Sequence, residues 1–81
     1  MTRTEIDEKV RQFLIDDFEI EEEVITPDAK LKEDLGIDSL DFVDIVVIVE
    51  KLFGFKIVPE ELAGVTTLQQ FCDYIERKTT V

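Results

Sequence analysis

Histidine is absent from this 81-residue chain, cysteine occurs once, and no apolar run is long enough to cross a bilayer. Each absence removes a class of function. Without histidine there is no Ser-His or Cys-His couple, no imidazole general base, and none of the commonest zinc ligand. The one cysteine, Cys72, makes neither an intramolecular disulfide nor a thiolate metal centre, and a reducing cytoplasm is its expected setting. The first ten residues, MTRTEIDEKV, lack the apolar core of a secretory signal, so neither export nor stable membrane insertion is expected. Positive charge is scarce as well. Nine Lys and Arg face twenty Asp and Glu, a net charge of −11. A chain this acidic is repelled by nucleic-acid phosphates and anionic lipid, and is drawn to basic patches on other proteins. Its self-repulsion should relax when salt or magnesium is added.

What is present reads as a globular domain. Apolar residues make up 44% and charged residues 36%, and residues 1–81 are expected to form a single domain. A chain of this length buries only about 60% of the surface it exposes when unfolded, so its core is thin. Ile6, Val10, Phe13, Leu14 and Phe18 recur at helical spacing, with Thr2 or Thr4 available as the cap. The acids that follow, DDFEIEEE, oppose the dipole at a helix C-terminus, which predicts fraying between Glu19 and Glu23. Residues 24–37 form a long loop, pinned to the core by Val24, Leu31, Leu35 and Ile37. From Ser39 to Phe53 the composition is β-rich. The segment is nevertheless too long for a typical strand, and Asp41, Asp44 and Glu50 recur at helical spacing, so a helix is predicted with Asp38 or Ser39 as its cap. VPEELAG is a short helical turn, and TTLQQFCDYIERK a helix opened by a Thr67–Gln70 capping box. In that last helix Leu68, Phe71, Cys72 and Ile75 form the core stripe. The sum is an all-α bundle of three longer helices and one short one.

No catalytic centre or metal site emerges from these residues. Ser39 lies in the frame Gly36-Ile37-Asp38-Ser39-Leu40, which lacks the second glycine of a nucleophile elbow. The acids from Asp34 to Glu50 do not match a calcium-binding loop. A carrier or binding role is expected, not an enzyme.

The stretch DLGIDSLDFVDIVVIVEKLFGFKIVPEEL, residues 34–62, resembles the acyl carrier proteins of fatty acid and polyketide synthesis. In that family an Asp-Ser-Leu triplet follows Leu-Gly and opens an apolar helix dotted with acids, and Ile-x-Pro-acid-acid follows. The resemblance implies a four-helix carrier fold and 4′-phosphopantetheine esterified to Ser39, flanked by Asp38 and Leu40. A separate phosphopantetheinyl transferase would attach it, with Asp38 helping to hold that enzyme's magnesium. A phosphodiester there would meet the polarised N–H groups of a helix N-terminus, worth about 0.3–1 kcal/mol at an exposed site.

The resemblance also implies a partner face of Asp41, Phe42, Val43, Asp44, Val47 and Glu50. That face would be read by acyl-transfer, condensing and reducing enzymes with basic docking patches, the carrier itself being monomeric. Leu40, Val43 and Val47 share one stripe of the helix, while Ile45, Val49 and Leu52 point to the core. An acyl chain held between helices would be lined by Val43, Val47, Ile57 and Leu62. Two positions depart from the family pattern: Lys51 stands where an acid is usual, and Phe42 is bulky, either filling surface, or gating the arm or selecting a partner. Aminoacyl, aryl or D-alanyl carriers share the arm and fold. An unmodified acidic adaptor, with Ser39 a plain helix cap, is the reading from a different class.

Overall fold

The computed structural model describes residues 2–79. Three α-helices carry the fold: α1 (Arg3–Phe18), α2 (Ser39–Phe53) and α3 (Leu68–Thr79). Two 3-10 turns, Glu22–Val24 and Pro59–Leu62, interrupt the connections. The expected short helix is therefore a tighter 3-10 turn, started by Pro59 at its first position. Among the described residues there is no strand beyond a lone bridge between Lys30 and Thr67, and no helix is long and apolar enough to cross a membrane.

Local chemistry explains each boundary. Thr2 caps α1, its hydroxyl accepting the Glu5 N–H at 3.2 Å. The end of α1 is abrupt where fraying is expected from the sequence. Glu19 takes up a left-handed conformation, φ 55° and ψ 36°, and the Leu14 carbonyl accepts from the Glu19 and Ile20 amides. The chain then turns back at Glu22–Val24. A non-glycine residue in that region is strained, and no basic residue in the last turn of α1 offsets its acids. Thr67 and Gln70 close the expected capping box on α3. Gln70 N–H reaches the Thr67 hydroxyl and Thr67 N–H reaches Gln70 Oε1, both at 3.3 Å.

The long loop is stitched to the start of α3. Ala29 and Pro27 carbonyls accept from the Leu68 and Gln69 amides at 2.8 and 3.0 Å, and Leu31 N–H donates to the Thr66 carbonyl at 2.9 Å. Those first amides of α3 have no partner inside the helix, so the loop supplies one. Leu31, Leu35, Ile37 and Ala29 are buried as the loop crosses the core. Val24 does not pin the loop as expected; it is 40% exposed, carried outward by the 3-10 turn.

The core joins Ile6, Val10, Phe13 and Leu14 of α1 to Leu68, Phe71, Cys72, Tyr74 and Ile75 of α3, with Ile45 and Val49 from α2. Full burial of side chains of this size contributes about 1.5–3 kcal/mol each. The closest helix pair is α1 with α3. Arg3 staples it from the surface, donating to Asp7 on its own helix and to Asp73 and Glu76 on α3. The bonds to Asp73 first and to Asp7 second hold its guanidinium pKa above the ordinary value.

Candidate functional site

The loop delivers its last turn, Gly36 to Asp38, to the N-terminus of α2. Gly36 has φ 71°, a left-handed conformation that a side chain would strain. Asp34 braces the turn by accepting the Lys30 N–H at 2.8 Å. Asp38 is the cap. Its Oδ1 accepts the Leu40 and Asp41 amides at 2.9 and 3.1 Å, and Asp41 Oδ2 returns the favour to the Asp38 N–H at 3.2 Å. Ser39 is thus the first residue inside the helix, exposed, with its hydroxyl not engaged as the cap.

This arrangement amends the sequence reading in two respects. Two of the amides expected to be open to a phosphate on Ser39 are already taken by Asp38 Oδ1, so the helix dipole is the larger part of what remains for an anion. Asp41 is half-buried and its carboxylate is committed to the capping box, whereas Asp44 and Glu50 stand exposed. Both capping bonds fall on one oxygen of Asp38, which leaves Oδ2 as a possible cation ligand. Among the described residues no group of three carboxylate or sulfur ligands could hold a metal ion, so any cation at Asp38 needs further ligands from elsewhere.

Beside Ser39 opens a cleft of about 520 Å³. Ser39, Phe42, Val43 and Val46 form the α2 side, and Leu31, Lys32 and Glu33 come from the loop. Pro59, Leu62, Ala63, Val65 and Thr66 make the other wall. Of the four residues expected to line an acyl pocket, Val43 and Leu62 line this cleft. Ile57 is 2% exposed and belongs to the core, while Val47 lies on the outer face at 46% exposure. Phe42 is half-buried and lines the cleft. Val46, Pro59, Ala63 and Val65 escape the sequence reading because they arrive from separate segments. The spacing of Ser39, Phe42, Val43 and Val46 on one side of a helix is the signal that marks Val46.

The outward face of α2 carries an apolar ridge. Leu40 is 79% exposed and Val43 64%, flanked by Asp44 and Glu50. Leu52, expected in the core, is instead 37% exposed. It lines a second groove, of about 410 Å³, between α1 and α2, where Phe13 and Ile48 form the floor and Lys9 and Lys51 are also present. Cys72 is buried, and burial, with Asp7 beside it, pushes its thiol up to about 12. At neutral pH it holds almost no thiolate, the reactive form.

Residues 8–75 match the family model described as "Phosphopantetheine attachment site". The chain is 36% identical over 80 residues to an acyl carrier protein of Rubrobacter xylanophilus, an alignment that covers 99% of each chain.

Proposed function

The chain belongs to the acyl carrier proteins of the phosphopantetheine-attachment family, and from that premise we propose that Ser39 is its attachment point and the cleft beside it the resting place of an apolar cargo. The family's 4′-phosphopantetheine is covalently bound, and when present it supplies a terminal thiol that holds an acyl group as a thioester.

The observation that carries the assignment is the division of labour at the start of α2. Asp38 performs the capping, so the Ser39 hydroxyl stays exposed at the mouth of an apolar cleft. Because Asp38 accepts the Leu40 and Asp41 amides, Ser39 does not serve as the cap, which is the role the plain adaptor reading gives it. Asp38 keeps Oδ2 available for the cation that a transferase would use to offset repulsion between this carboxylate and an incoming phosphate. Cys72, buried and protonated, does not compete as a nucleophile for activated acyl groups.

The exposed acids Asp44 and Glu50, with the ridge of Leu40, Val43 and Val47, supply the docking face. Like charges on one surface speed encounter with basic patches without forcing tight binding, which suits a shuttle that must release each enzyme in turn. We place the protein as a monomeric single-domain cosubstrate of separate enzymes in the cytoplasm: a phosphopantetheinyl transferase first, then acyl-transfer, condensing and reducing enzymes of fatty acid, polyketide or specialised lipid synthesis. The largely apolar cleft favours acyl over aminoacyl or D-alanyl cargo, whose charged amine would lose hydration against Leu31, Phe42, Val46 and Leu62.

The test is intact mass after incubation with coenzyme A and a broad-specificity transferase. One phosphopantetheine increment is expected on the wild type and none on Ser39→Ala. An unmodified wild type, or an increment that survives Ser39→Ala, overturns the assignment.

A further inference from the structure

One wall of the cleft, Val58 to Val65, has few polar anchors: Leu62 and Val65 pack half-buried against the core, and the rest of the segment is exposed. No residue of its 3-10 turn is buried. Its backbone bonds stay within the segment: Glu61 N–H to the Val58 carbonyl, Ala63 to Glu60, and Val65 to Leu62. Among the described residues, its hydrogen bonds to the rest of the molecule come from two side chains of α3. The Tyr74 hydroxyl accepts from Val58 N–H at 3.4 Å and donates to Glu61 Oε1 at 2.8 Å. Lys78 Nζ lies 3.0 Å from Glu61 Oε1 and 3.1 Å from Oε2.

The α3 half of this cluster is buried at Tyr74, and the turn half, Glu61, is exposed. Tyr74 is 1% exposed, its ring packs near Phe55 with centroids 6.1 Å apart, and the Arg77 and Lys78 cations sit 5.9 and 5.7 Å from the ring centre. Glu61 rides on the exposed turn between Pro59 and Leu62, two residues that line the cleft. Neither Glu61 nor Tyr74 lines it. The Tyr74 hydroxyl, and then Lys78, hold the Glu61 carboxyl below its usual range, while burial and the Glu61 bond raise the Tyr74 phenol. An ionised acceptor facing a protonated donor is the stable arrangement at neutral pH.

We propose that Tyr74, Glu61 and Lys78 form a latch on the cleft wall. While it is made, Pro59, Leu62 and Ala63 close on an apolar chain; when it breaks, the wall swings out and the chain leaves. Tyr74 and Glu61 are positioning residues, acting on cargo through the wall. The latch rests on the reading of the cleft as a cargo site, and its test separates the two.

Tyr74→Phe deletes the hydroxyl and keeps the ring; Glu61→Gln keeps an acceptor and deletes the ion pair. Hydrogen exchange on the unloaded protein reads the wall alone. Amides of Val58 to Val65 are expected to exchange about five- to a hundredfold faster in Tyr74→Phe, the scale of the two hydrogen bonds lost with its hydroxyl, with α1 amides unchanged. Glu61→Gln should show a smaller effect of the same sign. On the loaded protein, hydroxylamine should release a medium-chain acyl group faster by a similar factor, and acetyl, too short to reach into the cleft, at the wild-type rate. Unchanged exchange at 58–65, or unchanged medium-chain release where the wild type shields that chain, overturns the latch. If the wild type releases both groups equally fast, the cargo-cleft reading fails and retention fails with it, while exchange still decides whether the wall is latched. Should Tyr74→Phe loosen α1 as well, Lys78→Gln, which leaves the core untouched, decides in its place: faster exchange confined to 58–65 supports the latch and no change overturns it.

Discussion

Helices α2 and α3 are of similar length and use their apolar residues in opposite ways. All five apolar residues of α3, namely Leu68, Phe71, Cys72, Tyr74 and Ile75, are buried. Of the ten in α2 only Ile45 and Val49 are. The helix with more apolar residues thus gives fewer to the core. Six of the seven residues from Val43 to Val49 are Val or Ile, types that lose side-chain freedom in a helix and favour it less than Ala or Leu. In α3 the apolar residues hold the fold together. In α2 Phe42, Val46, Ile48 and Phe53 pack part-buried against the core, while Leu40, Val43, Val47 and Leu52 stand exposed and are available for contact with cargo or another protein.

That contrast is open to direct test, and the largest expected effect lies in α3. Phe71→Ala should cost about 3–5 kcal/mol of unfolding free energy in urea melts, while Val47→Ala should stay within about 0.5 kcal/mol and yet weaken transfer by partner enzymes. A similar cost at both positions would erase the distinction. Asp38→Ala comes next. Loss of the cap should cost about 1 kcal/mol, and loading of Ser39 should slow further than the change in stability explains; equal stability would mean that another group caps α2.

Asp44→Lys sharpens the docking half of the comparison. It touches no capping bond, so stability should hold while the loading rate falls about three- to tenfold at low salt and recovers toward the wild-type ratio as salt rises. A salt-independent effect would remove steering as the cause. The smallest change has the opposite sign. Glu19→Gly relieves the left-handed strain and one unfavourable helix-end charge, and should raise the melting temperature by the equivalent of about 0.5–1 kcal/mol.

Acid probes the wall attached to α3. The Glu61 carboxyl is held down by the Tyr74 hydroxyl first and by Lys78 second, with Arg77 also nearby. Its stabilising share is full above the unfolded-state pKa and is lost as pH falls through the lower folded-state value. Exchange at 58–65 should therefore rise on acidification relative to α3 amides, and the excess should vanish in Glu61→Gln.

Much of the architecture was legible beforehand because its signals are local. A cap acts within one turn, and the 3.6-residue stripe of α3 is confined to twelve residues. The start of α2 was legible for the same reason, although not which of Asp38 and Ser39 would cap it, since either type suits the position. The lining of the cleft was only half legible. Val43 and Leu62, two of the residues expected along a cargo, line it; Val47 and Ile57 do not, and Val46 was not named. A helix apolar on nearly every side has no stripe to point inward, so spacing alone cannot rank its faces. Leu52 went to the wrong side for that reason. Val24 failed differently, because a 3-10 turn reset the phase of the loop.

The amino-acid order alone determined where the three long helices begin, that the chain is acidic and without histidine, and that one serine follows Asp38 at a helix start. Those properties depend on neighbours a few residues apart. Only the tertiary structure decided that Asp38 keeps the Ser39 hydroxyl free, that Asp41 is committed to the cap, and that Tyr74 reaches across to hold a cleft wall sixteen residues earlier in the chain. Such pairings are selected by how three helices pack around one small core, and side chains distant in sequence carry no local mark of it.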